Sequence, residues 1–592
     1  MTFCHRLILL AALAVPLPGP ALAATVQLAD IEAMHEAGAV NLALYELDHV
    51  QPDLEAAEWN RAERLRLETY RQQHNWQAIV DRIGQYPERL APEHNLFTRS
   101  LEAEALLAID EPARAREVLL GLIWSDFATN DQTHHSLWRR MIIESYLREG
   151  RLGDAESAIL RYRQDYNEVR PEWTMQQARQ LLQAGRMNEL AALPSGVSTA
   201  EARGMRALAL IRSGGQPAHE IIAQVQPVLA DHALPKDDWS QMLLWLSLYE
   251  ASQAGRDSFI TLSAMEKVVA LSRRITPQAS LQLPTAAQLW QAYDSYAEEL
   301  ANQAQLLIGD DQGWFELATS RYADSPVQSR ALFAALARHS ALDENRNFFQ
   351  HRFINTLRDA ADQDLLWSLY LGSEQYQTLP GIPALARALL AEQAMREDNA
   401  RLAADLLRGQ DQAPEGMDEV AWRLLASRVN VGIEDYTTAG QILQRLLQDH
   451  PALDQHWIKP LVETIHLLHD AGQSATALGL YDELWGRLDD KQLQHDLLFR
   501  MADAKRAMGD YDDAAALYLK AANRGGQEAG QTVPVLALMQ AADMLTRAGQ
   551  LTDAAAIYRR LLGRELDAGT RNMIHIRLDN LREAESSNVS IH

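Results

Sequence analysis

Apolar residues recur three and four positions apart along most of the chain, the spacing of one face of an α-helix. In the segment MADAKRAMGDYDDAAALYLKAANRG, Ala502 and Ala514 are small residues of the kind that closely packed helices need, and Gly509 lies between them. Glycine ends a helix in a left-handed turn without steric cost. A second helix then begins at Tyr511 and carries Tyr518 on its apolar stripe. The segment therefore predicts a helix hairpin.

The same hairpin pattern returns along the chain. Upstream it reads LVETIHLLHDAGQSATALGLYDELW and downstream AGQLTDAAAIYRRLLGR, and the turn glycines of the three copies are 37 and 40 residues apart. Further copies are MIIESYLREGRLGDAESAIL and NVGIEDYTTAGQILQRLLQDHP, with weaker ones at EAGAVNLALYEL and EALLAIDEPARAREVLLGL. Three copies share a glycine, an alanine and a tyrosine in this order: Gly472, Ala477 and Tyr481; Gly509, Ala514 and Tyr518; Gly549, Ala554 and Tyr558.

These residues resemble the tetratricopeptide repeat family, in which a helix hairpin repeats about every 34 residues with small residues at the helix contacts. The resemblance is good over residues 420–566, moderate over 30–165 and degenerate between them. It implies an all-α fold, an α-solenoid of tetratricopeptide-like hairpins wound into a right-handed superhelix. No segment alternates with the period of two that a strand would show.

The pattern divides the chain into five parts. The segment LPSGVSTA, which combines proline, glycine and serine, is the first plausible break. The predicted parts are a signal peptide (1–23), N-terminal hairpins (24–193), degenerate helical repeats (194–380), a C-terminal repeat array (381–566), and a capping helix with a polar tail (567–592).

The first residues, MTFCHRLILLAALAVPLPGPALA, have the layout of a secretory signal. Arg6 precedes an apolar stretch, and small residues around Ala23 form a cleavage site. The alternative is an uncleaved membrane anchor, but the apolar stretch is shorter than the roughly 20 residues that a spanning helix needs. We therefore expect cleavage after Ala23, export to the periplasm, and no integral membrane segment in the mature protein.

Composition narrows the possible functions. The chain has 592 residues, a formal charge of −25 and a single cysteine, Cys4, which leaves with the signal peptide. The mature protein therefore has no disulfide, no thiolate metal site and no cysteine nucleophile. A polyanion of this size is a poor match for nucleic acid or an anionic membrane surface.

Candidate catalytic and metal motifs are weak. Two Glu-x-x-His motifs, Glu32 with His35 and Glu463 with His466, could contribute to a di-iron carboxylate site, but they lie far apart and lack further glutamates in phase. His469, one turn from His466, makes a weak adventitious metal site conceivable. Glu144 and Ser145 form the Glu-Ser dipeptide of soluble lytic transglycosylases, yet they fall inside a repeat helix. We expect no cofactor, no bound metal and no enzymatic activity.

The resemblance also implies where a partner binds. In tetratricopeptide repeats the first helix of each hairpin lines a concave groove. Ordinary solvated charge pairs one turn apart explain any one of these residues alone, so the face they share is what indicates binding. The positions carried over by phase are Arg140, Glu144, Arg148, Arg428, His466, His469, Asp503, Arg506, Asp543 and Arg547.

The sequence therefore predicts a non-enzymatic periplasmic scaffold that binds a protein or peptide of the bacterial envelope, within a cell-envelope or exopolysaccharide-export assembly. The alternative is a peptidoglycan- or polysaccharide-binding accessory protein that resembles the superhelical part of soluble lytic transglycosylases without their catalytic domain. In that case glycan would bind to the degenerate middle, with some of the thirteen tryptophans available for stacking, although most of them are expected in the core.

Overall fold

The structure is a computed structural model. It describes residues 27–589 except 86–91, 125–131, 167–170, 194–196, 231–234, 277–278, 360–361, 489, 525–531 and 565. Every regular element in this part of the chain is helical, which confirms the all-α prediction. The predicted signal peptide lies outside the described residues. Within them, no helix combines the length and the apolar character that crossing a membrane requires.

The described residues form two compact units, one within Met1–Ser247 and Pro277–Gln282, the other within Leu248–Thr276 and Leu283–His592. The five-part division follows repeat character and stays a prediction. The helices up to the boundary, which falls inside the last of them, are α1 (Leu28–Glu36), α2 (Val40–Val50), α3 (Ala56–Gln72), α4 (Trp76–Gln85), α5 (Pro92–Ala108), α6 (Pro112–Ile123), α7 (Gln132–Arg148), α8 (Leu152–Asp165), α9 (Pro171–Gln183), α10 (Met187–Ala191), α11 (Ala200–Ser213), α12 (Ala218–Val225) and α13 (Asp238–Gly255).

The second unit continues with longer runs of paired helices. They are α14 (Ser258–Leu271), α15 (Ala286–Leu300), α16 (Gln303–Leu307), α17 (Gln312–Arg321), α18 (Pro326–His339), α19 (Asp343–Asp359), α20 (Gln363–Tyr370), α21 (Ala384–Arg396), α22 (Ala400–Leu407), α23 (Glu419–Gly432), α24 (Tyr436–Asp449), α25 (Gln455–Asp470), α26 (Ser474–Trp485), α27 (Lys491–Met508), α28 (Tyr511–Arg524), α29 (Thr532–Arg547), α30 (Leu551–Leu562) and α31 (Ala568–Val589).

Neighbouring helices in sequence are neighbours in space through most of each unit. From α1 to α12 each helix packs against the next, and the odd-numbered helices α1 to α11 also pack against one another in order. From α23 to α31 each helix again packs against its successor, and α23, α25 and α27 form the same kind of layer. Contact with near neighbours alone is the packing of stacked hairpins, so the predicted solenoid packing is confirmed within these two stretches.

The residues that predicted the hairpin have the expected positions. Ala502, Ala514 and Tyr518 are fully buried in the core of the C-terminal array. Gly509 follows α27 with a φ of +84°, the left-handed conformation of a helix C-terminus. Helix α28 begins at Tyr511, as predicted. Small residues and a left-handed glycine therefore set the hairpin geometry in this array.

The stretch from α14 to α20 packs differently. Helix α14 contacts α18 and α20 as well as α15, and α15 contacts α18 and α20. The chain thus folds back on itself around the buried side chains of Trp290, Tyr293, Phe353 and Tyr370. The hairpin signature fades in this part of the sequence because its helices pack against partners that are distant along the chain.

A charged pair is enclosed in that packing. Glu266 on α14 is 1% exposed and Arg330 on α18 is 5% exposed. Arg330 Nε donates to Glu266 Oε1 at 2.8 Å, and a second bond joins Nη2 to Oε2. The hydroxyl of Tyr293 donates to the same Oε1 at 2.7 Å. The three side chains tie α14, α15 and α18 together.

Candidate functional site

Polar side chains recur at one position of successive first helices in the C-terminal array. His466 on α25, Asp503 on α27 and Asp543 on α29 each lie fifteen residues before a buried tyrosine of the following helix. We call the surface that contains them the C-terminal face, defined by His466, Arg500, Asp503, Arg506, Leu536, Asp543, Met573 and Arg577. It lies entirely within the second unit.

The two carboxylates of this face are held from inside their own hairpins. The hydroxyl of Tyr518 donates to Asp503 Oδ1, and the hydroxyl of Tyr558 donates to Asp543 Oδ1. Burial raises the pKa of both tyrosines, and for Tyr518 the bond to Asp503 raises the pKa further. Both hydroxyls therefore keep their protons and act as donors. The hydrogen bonds fix the position of each carboxylate on the surface.

Arginines complete the charge of the C-terminal face. Arg506 Nη2 lies 3.0 Å from Asp503 Oδ1. Arg577, on α31, forms an ion pair with Asp543 and donates to the Tyr558 hydroxyl at 3.2 Å. Each carboxylate thus has an arginine partner, and a ligand would meet neutralised pairs with exposed edges rather than isolated charges.

The two histidines of α25 continue this surface. The rings of His466 and His469 stack with centroids 5.4 Å apart. Burial and the nearby charge of Arg500, in that order, lower the pKa of His466. His466 Nε2 is 3.6 Å from Asp470 Oδ1, and His469 Nδ1 is 3.0 Å from the Ser474 hydroxyl oxygen. At neutral pH His466 therefore presents an uncharged hydrogen-bonding ring.

Exposed apolar groups share the helical stripes of these charges. Leu536, seven residues before Asp543 on α29, is 49% exposed, and Met573, four residues before Arg577 on α31, is 46% exposed. Positions four and seven apart lie on the same side of a helix. The face therefore offers both charged and apolar groups to a partner.

The remaining predicted groove residues have other surroundings. Arg428 is exposed on α23, and its Nε donates to the Leu424 carbonyl of its own helix at 3.3 Å. Arg547 stacks over the Tyr511 ring at 5.8 Å from the ring centroid. Within the described part of the chain, the carboxylates of the C-terminal face pair with Arg506 and Arg577 and not with Arg428 or Arg547.

Three predicted residues, Arg140, Glu144 and Arg148, lie on α7 in the first unit. Arg148 Nε donates to Glu144 at 3.2 Å, and Arg179 on α9 comes within 3.7 Å of the same carboxylate. Arg179 also holds Glu201 on α11 by two bonds of 2.7 and 2.8 Å. These ion pairs connect α7, α9 and α11.

Ser145 and Glu32, from the candidate catalytic and metal motifs, are held by contacts with other residues of the chain. Ser145 is fully buried, donates to the Ile142 carbonyl and accepts a bond from Arg116. Glu32 forms an ion pair with Arg61. Among the described residues no group of three or more histidine, cysteine, aspartate or glutamate side chains is arranged to hold a metal ion.

Sequence reasoning missed Arg500, Arg577 and the tyrosine hydroxyls. An interval of fifteen residues separates aspartate from tyrosine at both 503/518 and 543/558, and this repeat could have predicted the bonds from the tyrosine hydroxyls. Arg577 had no such signal, because it lies in the segment that the sequence predicts as a polar cap.

Comparison with known proteins finds similarity to solved structures. No family model and no curated protein matches it. Similar solved structures include the APC/C hetero-tetramer Cut9-Hcn1, at 12% identity, 90% of this chain, 95% of that chain and a TM-score of 0.26. The pentatricopeptide repeat protein PPR10 from maize has 12% identity, coverages of 95% and 88%, and a TM-score of 0.31. Yeast Tom70 has 10% identity, coverages of 94% and 95%, and a TM-score of 0.23. At these scores the architecture rests on the helix packing described above.

Proposed function

We propose that this protein is a non-enzymatic scaffold of the bacterial periplasm that binds a protein or peptide partner on the C-terminal face. The observation that carries the proposal is the combination of exposed Leu536 and Met573 with charged groups that hydrogen bonds hold in place. Groups fixed before binding lose little conformational freedom when a partner arrives. Protein interfaces commonly combine such a fixed polar frame with apolar anchors.

The partner belongs, in this proposal, to a cell-envelope or exopolysaccharide-export assembly. Support comes from the signal-like N-terminal sequence. Mass spectrometry of the periplasmic fraction should find a mature chain that begins at or near Ala24. Full-length protein in the membrane fraction would contradict the periplasmic part of the proposal.

The glycan-binding alternative receives no support from the tryptophans. Of the thirteen, all within the described part of the chain, only Trp124 is exposed, at 83%; the others are buried or half-buried. The tryptophans therefore provide no row of accessible indole rings on which sugar rings could stack.

The binding proposal is tested by capture from periplasmic extract with quantitative mass spectrometry. Leu536→Lys with Met573→Lys, and separately Arg506→Glu with Arg577→Glu, should each weaken capture of the partner about tenfold or more, since lost anchors and charge-assisted bonds are each worth about 1.5 to 3 kcal/mol. Matched controls are Ile308→Lys with Leu342→Lys, which are exposed apolar positions elsewhere in the unit, and Arg559→Glu with Arg560→Glu on α30. Equal capture by the face variants and the controls would refute the proposal.

A further inference from the structure

A second candidate site lies in the same unit, apart from the residues of the C-terminal face. It is a cleft of about 730 Å³ between α22, α23 and α24. Pockets of about 300 to 1,000 Å³ are the usual size for bound small molecules or short segments.

The cleft exists because one helix is short. Helix α22 has 8 residues, whereas the corresponding second helices α24, α26, α28 and α30 have 12 to 14. After α22 the chain turns away at Gly409, whose φ is +74°. The side of α23 and α24 that a longer helix would cover is left open. The short helix and its turn thus leave room for the cleft.

The walls of this cleft divide into an apolar floor and a basic rim. Leu407, Val429 and Ile442 contribute to the floor. Three arginines line the rim, on three different helices or their ends, against one lining carboxylate, Asp411; they are Arg408, Arg423 and Arg445. Carboxylates outside the lining pair with Arg408 and Arg423. A ligand would therefore meet the exposed guanidiniums of Arg408 and Arg445 rather than an excess of positive charge.

The rim arginines are not equally available. Arg423 is half-buried and bound to Asp449 at 2.7 Å and to Glu419, so its charge is neutralised and it forms a fixed wall of the cleft. Arg408, 80% exposed at its side chain, pairs only locally with Asp405 three residues away. Exposed pairs of that kind are weak, so the guanidinium can exchange this contact for a ligand. Arg445 is exposed on α24.

Amide and hydroxyl groups also line the cleft, among them Asn430 and Thr438. Such groups both donate and accept hydrogen bonds, as the backbone of a bound peptide requires. We propose that the cleft binds a short peptide segment in which a carboxylate side chain stands beside an apolar one. The carboxylate meets Arg408 and Arg445, the apolar side chain fills the floor, and the acidic surface elsewhere on the chain disfavours longer polyanions.

The test is selection of short random peptides displayed on phage against the full mature chain, followed by binding measurements on the selected peptides immobilised through a Gly-Ser linker. The expected result is a consensus with at least one carboxylate next to an apolar residue. Arg408→Glu and Arg445→Glu should each weaken its binding by about tenfold or more, the effect of one charge-assisted bond. Ala404→Phe, which fills the cleft from α22, should also weaken it.

Two controls separate this site from its surroundings. Arg401→Glu, exposed on the same helix and outside the cleft, should leave binding unchanged. The Arg506→Glu, Arg577→Glu variant of the C-terminal face should also retain it, so the two proposals fail independently. Absence of enrichment, a consensus without carboxylates, or undiminished binding to the Arg408 and Arg445 variants would each overturn the proposal.

Discussion

Removal of the Glu266 charge should be among the most damaging single changes to this protein. Glu266→Gln keeps the shape of the side chain but leaves the Arg330 charge without its counter-charge in a site where both residues are at least nine-tenths buried. Breaking a buried ion pair from one side costs about 3 to 5 kcal/mol. A domain's whole stability is about 5 to 15 kcal/mol, so this substitution should remove a large part of it.

Replacing both charged residues of the pair should destabilise the protein far less than replacing Glu266 alone. In the double variant Glu266→Met, Arg330→Met no charge remains to be desolvated, and well-packed apolar replacements of buried pairs are often neutral or stabilising. The Tyr293 hydroxyl then lacks its acceptor, at a cost of about 1 to 3 kcal/mol. Adding Tyr293→Phe removes that hydroxyl, and the triple variant should be close to wild type.

Urea unfolding followed by circular dichroism measures the loss, and hydrogen exchange with mass spectrometry shows where it occurs. Exchange should accelerate in peptides from α14, α15 and α18 in the single variant. As a control, Asp405→Asn breaks an exposed pair and should change the free energy of unfolding by less than about 0.5 kcal/mol. Two results would contradict this reasoning: Glu266→Gln unfolding like wild type, or the double variant being as unstable as the single one. Either would mean that an unpaired Arg330 charge in the core does not carry the expected cost.

Three further outcomes follow from the C-terminal array. Ala514→Leu should force α28 from its neighbours and cost about 1 to 3 kcal/mol, whereas Ala516→Leu on the exposed side of the same helix should not, as thermal melts will show. Gly509→Ala should cost about 1 to 2 kcal/mol, since only the left-handed backbone and no contact opposes the new methyl; Gly479→Ala, inside α26, serves as its control. Because the folded pKa of His466 lies below its ordinary 6.5, the unfolded state binds more protons in acid and stability falls as pH drops below that value. His466→Gln should flatten this decline between about pH 7 and pH 5, and an unchanged pH profile would contradict the assignment.

The sequence predicts the structure well where the contacts join residues that are close along the chain. The hairpin around Gly509 needs only an apolar stripe, two small residues and a left-handed turn, and all of these lie within about one repeat length. The α14–α20 packing needs more. The Ser368 hydroxyl, for example, donates to the Val269 carbonyl 99 residues earlier at 3.1 Å. No period in the sequence encodes such a contact.

The candidate site divides in the same way. Repeat phase located His466, Asp503 and Asp543 on equivalent positions, but phase says nothing about which cation approaches each carboxylate. Arg577 reaches Asp543 from α31, and α31 reads in the sequence simply as a helix with a polar end. Likewise Glu266 and Arg330 look like ordinary surface charges until tertiary packing encloses them.

The bonds from Tyr518 to Asp503 and from Tyr558 to Asp543 give the surface a connection to the interior. A partner that donates a hydrogen bond to one of these carboxylates competes with the tyrosine hydroxyl, which lies on the other helix of the hairpin, and so weakens the tyrosine–aspartate bond. Binding and the cohesion of α27 with α28, or of α29 with α30, are then thermodynamically linked, and linkage acts equally in both directions. Occupancy of the face should therefore be measurable as altered amide exchange in α28 and α30, on helices that carry none of the residues defining that face.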